Sequence, residues 1–176
     1  MPGNSIGDRF VAMSFGESHG TCIGVVIDGC PAGMPLTESD VQEELDKRRP
    51  GQSAVTTQRM EADKVSILSG LFNNITTGAP ICMIIWNKDS DSRAYDFVKS
   101  VPRPGHSDYT SFVKYGGFSD HRGSGRFSGR LTATFVMAGA VSQKLLRHTL
   151  GIETIAYTKK IGRICMDDIQ FGDAQK

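Results

Sequence analysis

Long apolar runs are missing from this chain. The most hydrophobic stretch, Leu131 to Val141, is about 11 residues long and gives way to Ser142, Gln143 and Lys144, whereas a membrane-crossing helix needs about 20. It reads as a buried helix, and no membrane partner is expected. A charge excess is missing as well: the net charge is +1, which predicts no general affinity for nucleic acid or anionic lipid. Aromatic residues make up 8%, too few beside so little net charge for an RNA-binding surface. The four cysteines, Cys22, Cys30, Cys82 and Cys165, show no C-x-x-C spacing and no finger pattern with the four histidines. That argues against a disulfide framework and predicts reduced core thiols of a cytoplasmic protein. No metal is expected, because His19, His106 and His121 lack helical ligand spacing. His121 reads as a loop residue and His148 as a cation at a helix C-terminus. The opening MPGNSIGDRF has no basic region followed by an apolar run, so no secretory signal is expected.

Glycine, by contrast, is abundant. There are 20 in 176 residues, above the usual ~7%, which points to tight turns and ligand loops rather than a helical bundle. Three blocks hold a histidine or arginine between glycines: FGESHG at Phe15 to Gly20, RPGHSD at Arg103 to Asp108, and GSGRFSGR at Gly123 to Arg130. Hydrophobic residues at 39% and charged residues at 22% exclude a disordered chain, and 176 residues suffice for a real core.

The apolar runs 10–15 and 23–27 read as strands flanking the first block. Thr37, with Asp40 three residues on, predicts a capped helix over 38–47 that ends before Pro50 and Gly51. Residues 65–72 and 81–86 read as strands of a hairpin, and 87–103 as a polar loop that orders over a ligand. A short helix is predicted from Asp108 to Tyr115, with Ser107 or Asp108 as its cap. The strongest helix runs from Gly129 to Thr149, with Gly151 as its stop, and 152–158 is a further strand. Strands with helices between them predict an α+β fold, a sandwich of sheet and helix layers.

Each block admits a structural and a chemical reading. His19 either packs in the fold or is presented by its flanking glycines, and an imidazole exchanges protons near neutral pH. His106 lies beside a helix start, where backbone N–H groups collect anions. Arg48 and Arg49 close the first helix, where they either answer its dipole or hold a phosphate. The segment 103–130 carries Arg103, Lys114, Arg122, Arg126 and Arg130 against Asp108 and Asp120, a balance suited to a small anionic ligand. Arg126, Ser128 and Arg130 precede the long helix and can converge with its positive end on a phosphate. No Lys-Ser/Thr pair follows, so this is not a Walker loop.

The stretch GESHGTCIGVVIDGCP, Gly16 to Pro31, resembles the N-terminal motif of the chorismate synthases, flavin-dependent lyases. GRFSGRLTATFVMAGAV, Gly125 to Val141, resembles their second motif in spacing, and departs from its commoner form at Phe127, Gly129 and Leu131. The resemblance implies an anti-1,4-elimination of phosphate from 5-enolpyruvylshikimate 3-phosphate, using reduced FMN without net redox change. It implies that His19 serves the phosphate leaving group and His106 the flavin. Arg48, Arg49, Arg103 and Arg130 would hold the substrate's phosphate and carboxylates, and Arg126, Phe127 and Ser128 would belong to the flavin segment. NADPH is a candidate flavin reductant. Ala54 stands where the family commonly has an arginine, so intrinsic NADPH oxidation is expected to be weak or absent.

The family chain is about twice this length. The expectation is therefore that residues 1–176 are the N-terminal part of a single β-α-β sandwich domain, without the C-terminal half and its flavin contacts. The family's homotetramer implies a homo-oligomer. The alternative is an inactive fragment that only binds anions or flavin, or self-associates.

Overall fold

The computed structural model describes residues 3–48, 63–88 and 92–166. They divide into two compact units, up to Val141 and from Ser142 onward. The first unit is built on one five-stranded antiparallel sheet of order β1-β2-β3-β7-β4. Its strands are β1 (Ser5–Ile6), β2 (Val11–Gly16), β3 (Cys22–Asp28), β4 (Val65–Ile67) and β7 (Ile81–Trp86). A small hairpin, β5 (Leu71–Phe72) with β6 (Ile75–Thr76), interrupts the connection from β4 to β7.

The alternation of β-branched residues explains the central pair. Ile23 faces Ile85, Val25 faces Met83 and Ile27 faces Ile81, and all six side chains are at most 1% exposed. Such same-face pairs are the unit of sheet stability. Ala12 and Ser14 of β2 extend this face, paired with Ile27 and Val25. Ser14 Oγ meets Thr134 Oγ1 at 2.7 Å, which ties the sheet to the start of α3 (Thr132–Leu150). On the other face Met13 and Trp86 remain exposed.

Helix α1 (Glu38–Arg48) begins where the sequence predicts, with the Asp40 carboxylate accepting from the Thr37 N–H at 2.7 Å and its hydroxyl at 2.8 Å. Val41 and Leu45 are fully buried. Its polar side chains also cover an edge strand. Gln42 Oε1 accepts from Val65 N at 3.0 Å and Glu38 Oε1 from Ile67 N at 2.9 Å, so two outward amides of β4 are satisfied. The predicted stop at Pro50 and Gly51 lies outside the described residues.

Several expectations need correction. The run 65–72 is two short strands, of which β4 pairs with β7 as the hairpin reading requires. The 87–103 segment contains a 3-10 turn, Arg93–Lys99. Ser107 stands at the N-cap of α2 (Asp108–Lys114) but no side chain caps it, because the Asp108 carboxylate is taken by Arg103 and His106. The long helix opens as a 3-10 turn, Gly129–Leu131, before α3 proper.

In the second unit, Gly151 at φ 65 ends the helix, with Gly151 N–H donating to Arg147 O and Ile152 N–H to Leu146 O; this is the left-handed stop that glycine adopts without strain. Residues 152–158 form no strand. The pairing falls later, in the exposed hairpin β8 (Lys160–Ile161) and β9 (Ile164–Cys165). Cys165 is accordingly exposed rather than in a core, while Cys30 is buried, and all four cysteines are free thiols. Among the described residues no helix is long and apolar enough to cross a membrane.

Candidate active site

Two glycine-bearing blocks meet beside the sheet. Ser18 N–H donates to Gly125 O at 3.1 Å, and Gly123 lies directly against the His19 imidazole, so that a Cβ on Gly123 would overlap the ring. The backbone reverses sharply through Gly123, Ser124 and Gly125, all at positive φ. Two of these positions are glycines, which adopt that region freely, whereas Ser124 at φ 70 is strained.

The flanking glycines do not leave His19 open to solvent; it is 9% exposed. Its Nδ1 meets Ser92 Oγ at 2.9 Å, and Tyr95 stands edge-on with ring centroids 5.2 Å apart. Beside it, Ser18 is 1% exposed and its hydroxyl has no hydrogen-bond partner among the described residues. A buried, unsatisfied hydroxyl is costly unless a ligand completes it.

The second histidine belongs to a separate charged cluster. Arg103 grips Asp108 with Nε at 2.8 Å and Nη2 at 2.9 Å, and its backbone N–H adds a third bond at 3.0 Å. These bonds outweigh desolvation and hold the Asp108 carboxyl far below the ordinary carboxylate range. His106 Nδ1 lies 2.8 Å from Asp108 Oδ1 and 3.4 Å from Arg103 Nη2, so the ring is held against the same ion pair. Arg103 links this cluster to the first. Its Nη2 donates to Ser124 Oγ at 2.7 Å, and its guanidinium lies 5.7 Å from the centroid of the Tyr95 ring.

Arg48 and Arg130, far apart in sequence, share one buried carboxylate: Asp63 accepts from Arg48 Nη1 at 3.2 Å and from Arg130 Nη1 at 2.8 Å. Arg130 Nε donates to Asn87 Oδ1 at 2.7 Å, while Asn87 Nδ2 donates to Glu17 O at 3.0 Å and Gly20 O at 2.8 Å. Asn87 therefore joins the arginine cluster to the His19 loop. Arg49 lies outside the described residues, as does Ala54.

Of the predicted flavin segment, Arg126 is drawn to the sheet edge, where it donates to Asn4 Oδ1 at 3.0 Å and Ser14 Oγ at 2.7 Å. Burial lowers its pKa. Phe127 is 40% exposed and tilts against Tyr115. Ser128 caps the turn into α3, its Oγ accepting from Arg130 N–H at 3.3 Å. A cavity of about 510 Å³ opens here, lined by Phe15, Tyr115, Phe118, Arg126 and Phe127 among others. Asp63, Asn87, Ser92 and Tyr95 were not singled out by any motif. Each follows or precedes a strand or loop with no distinguishing spacing, and only the folded chain brings them to the site.

Comparison with known proteins gives the family. The chorismate synthase family profile matches residues 10–176. A chorismate synthase of Dehalococcoides mccartyi is 58% identical over 161 residues, covering 92% of this chain and 44% of that relative. One from Korarchaeum cryptofilum is 52% identical over 175 residues, covering 99% of this chain and 48% of that relative. A crystal structure of chorismate synthase superposes with a TM-score of 0.55 at 29% identity, over 83% of this chain and 36% of the other. The chain belongs to the chorismate synthase family. It spans less than half the length of these relatives.

Proposed function

We propose that the chain contributes to a chorismate synthase active site, eliminating phosphate and a ring hydrogen from 5-enolpyruvylshikimate 3-phosphate in the anti-1,4 sense. The observation that carries this reading is the linkage of the His19 loop, through Asn87, to the paired arginines Arg48 and Arg130. A departing phosphate needs cations and a proton source. In this reading His19 supplies the proton, and Arg48, Arg49, Arg103 and Arg130 hold the phosphate and carboxylates. The unsatisfied Ser18 hydroxyl adds a donor for the same anion. The C–O bond breaks with its electron pair leaving on phosphate. The electrons of the lost C–H bond form the new double bond, so no net redox change occurs.

The residues fit reduced FMN. The cavity beside Arg126 combines aromatic walls with a cation, the chemistry a planar group with an anionic tail requires, and Arg126, Phe127 and Ser128 would hold it. When bound, the reduced flavin supplies an electron-rich ring that favours loss of the substrate hydrogen. By the resemblance, His106 would hold or move a proton for the flavin. NADPH is the proposed flavin reductant, with weak intrinsic oxidation because Ala54 replaces an arginine. The sheet and helices are read as the N-terminal portion of the family's β-α-β sandwich, and residues 1–176 as part of a single domain. The protein is proposed to be cytoplasmic and to self-associate as the family's tetramer.

An anaerobic assay with substrate and reduced FMN tests the reading. The 176-residue chain alone is expected to be inactive, so in an intact chain of the family His19→Ala and His106→Ala should each lower chorismate formation ~10²-fold with little change in melting temperature. Unfolding of either variant would return that histidine to a structural role. A second reading, in which the 176-residue polypeptide by itself only binds anions or flavin or self-associates, draws on its exposed Phe72, Phe118 and Ile164. Flavin binding without turnover selects it.

A further inference from the structure

Asp63 belongs to none of the three glycine-bearing blocks, yet it is the most buried charged group of the arginine cluster, its side chain 1% exposed. Its two oxygens are divided: Oδ1 accepts from Arg130 at 2.8 Å and Oδ2 from Arg48 at 3.2 Å. The residue sits at φ 41, a left-handed conformation that aspartate tolerates better than most side chains. Each arginine is fixed at further points. Arg48 Nε and Nη2 donate to Thr132 Oγ1 and Gly129 O, both at 3.1 Å, and Arg130 Nε donates to Asn87.

Two guanidinium groups around one small site repel each other, the more so where water is excluded. A carboxylate between them removes that repulsion, fixes both planar forks, and leaves the pair with a single net positive charge. We propose that Asp63 is the positioning residue of the anion site, setting the spacing and net charge of Arg48 and Arg130. This rests on the reading that those two arginines hold the substrate's anionic groups. The site then meets an anion with its cations already oriented, and little reorganisation is left to the binding step.

The test uses the 176-residue chain, wild type and Asp63→Asn, with inorganic phosphate as the probe and chloride at equal ionic strength as control. Guanidinium Nη–H exchange, at the groups that meet Asp63, is followed by NMR and stability by thermal melting. In the wild type, the Nη1–H groups of Arg48 and of Arg130 should exchange at least ~10-fold more slowly than those of Arg147, whose side chain is 69% exposed. Asp63→Asn should abolish the protection at both arginines and lower the melting temperature. Phosphate should then raise the variant's melting temperature more than the wild type's, because a mobile anion takes the carboxylate's place between the two cations. A structural role not exerted through the arginines would lower stability without that added phosphate response. Retained protection at both arginines in the variant, or equal phosphate responses, would overturn the proposal. Should Asp63→Asn not fold, Asp63→Gly, which also removes the carboxylate and tolerates the left-handed backbone, replaces it with the same two outcomes. Turnover plays no part: a chain without chorismate formation that shows this pattern keeps the inference, and one with turnover but equal phosphate responses loses it.

Discussion

Asn87 Oδ1 accepts from Arg130 Nε at 2.7 Å, and through its other side-chain atom the same asparagine donates to Glu17 O and Gly20 O. One amide just after β7 thus ties Arg130, in the turn Gly129–Leu131 that leads into α3, to the loop that carries His19. Asn87→Ala removes all three bonds and leaves two loop carbonyls and a buried arginine to find other partners. A loss of ~1–3 kcal/mol is expected from such unsatisfied groups, with faster amide hydrogen exchange over residues 17–20. Unchanged exchange in that loop would show that Asn87 does not hold it.

Gly123 is the second constraint on His19. At φ 54, with the imidazole where its Cβ would lie, Gly123→Ala suffers both backbone strain and overlap, and should cost ~1–3 kcal/mol. Part of that cost depends on the ring. The double variant His19→Ala, Gly123→Ala should therefore be more stable than the sum of its two single changes implies, a coupling that a double-mutant cycle on thermal or denaturant unfolding reads directly. Strict additivity would mean that the two residues are not in contact.

How much of this was legible beforehand depended on distance along the chain. The Thr37–Asp40 cap, the Gly151 stop and the β-branched alternation of β3 and β7 are local signals, and each formed as its residues dictate. The expected Ser107 or Asp108 cap failed because a tertiary partner, Arg103, competes for the Asp108 carboxylate with two charge-assisted bonds. The strand expected over 152–158 rested on apolar residues alone, and Ile152 and Tyr157 stay exposed with no neighbouring strand to pair among the described residues. His19 and the arginines were legible as chemistry-bearing residues, because histidine and arginine between glycines stand out. Asp63 and Asn87 were not, since their importance lies in bridging segments that only the fold brings together.

Asp108 makes stability depend on acid. Hydrogen bonds from Arg103 hold its carboxyl below the ordinary value in the folded protein, so the stabilisation is complete above the unfolded-state pKa of ~3.9 and is lost progressively as pH falls below it. Asp108→Asn should lower stability at pH 7 and flatten the acid limb of the unfolding profile between about pH 4 and pH 2. An acid limb identical in the two proteins would place the acid sensitivity elsewhere.

The thiols provide a test of the sheet's packing that is independent of any activity. Burial pushes the Cys30 and Cys82 thiols up, and burial together with the Glu17 charge does the same for Cys22, so little thiolate is present at these positions near neutral pH. Cys165 lies exposed in the β8–β9 hairpin. Iodoacetamide at pH 7.5 should therefore modify Cys165 first, Cys22 and Cys82 slowly, and Cys30 last, by peptide mass mapping over time. Mild denaturant should bring the three sheet and turn cysteines up together as the first unit opens, because Cys22 and Cys82 lie on the paired central strands β3 and β7. Early modification of Cys30 in native buffer would contradict the buried turn that follows β3 and, with it, the packing that positions the His19 loop at the strand's other end.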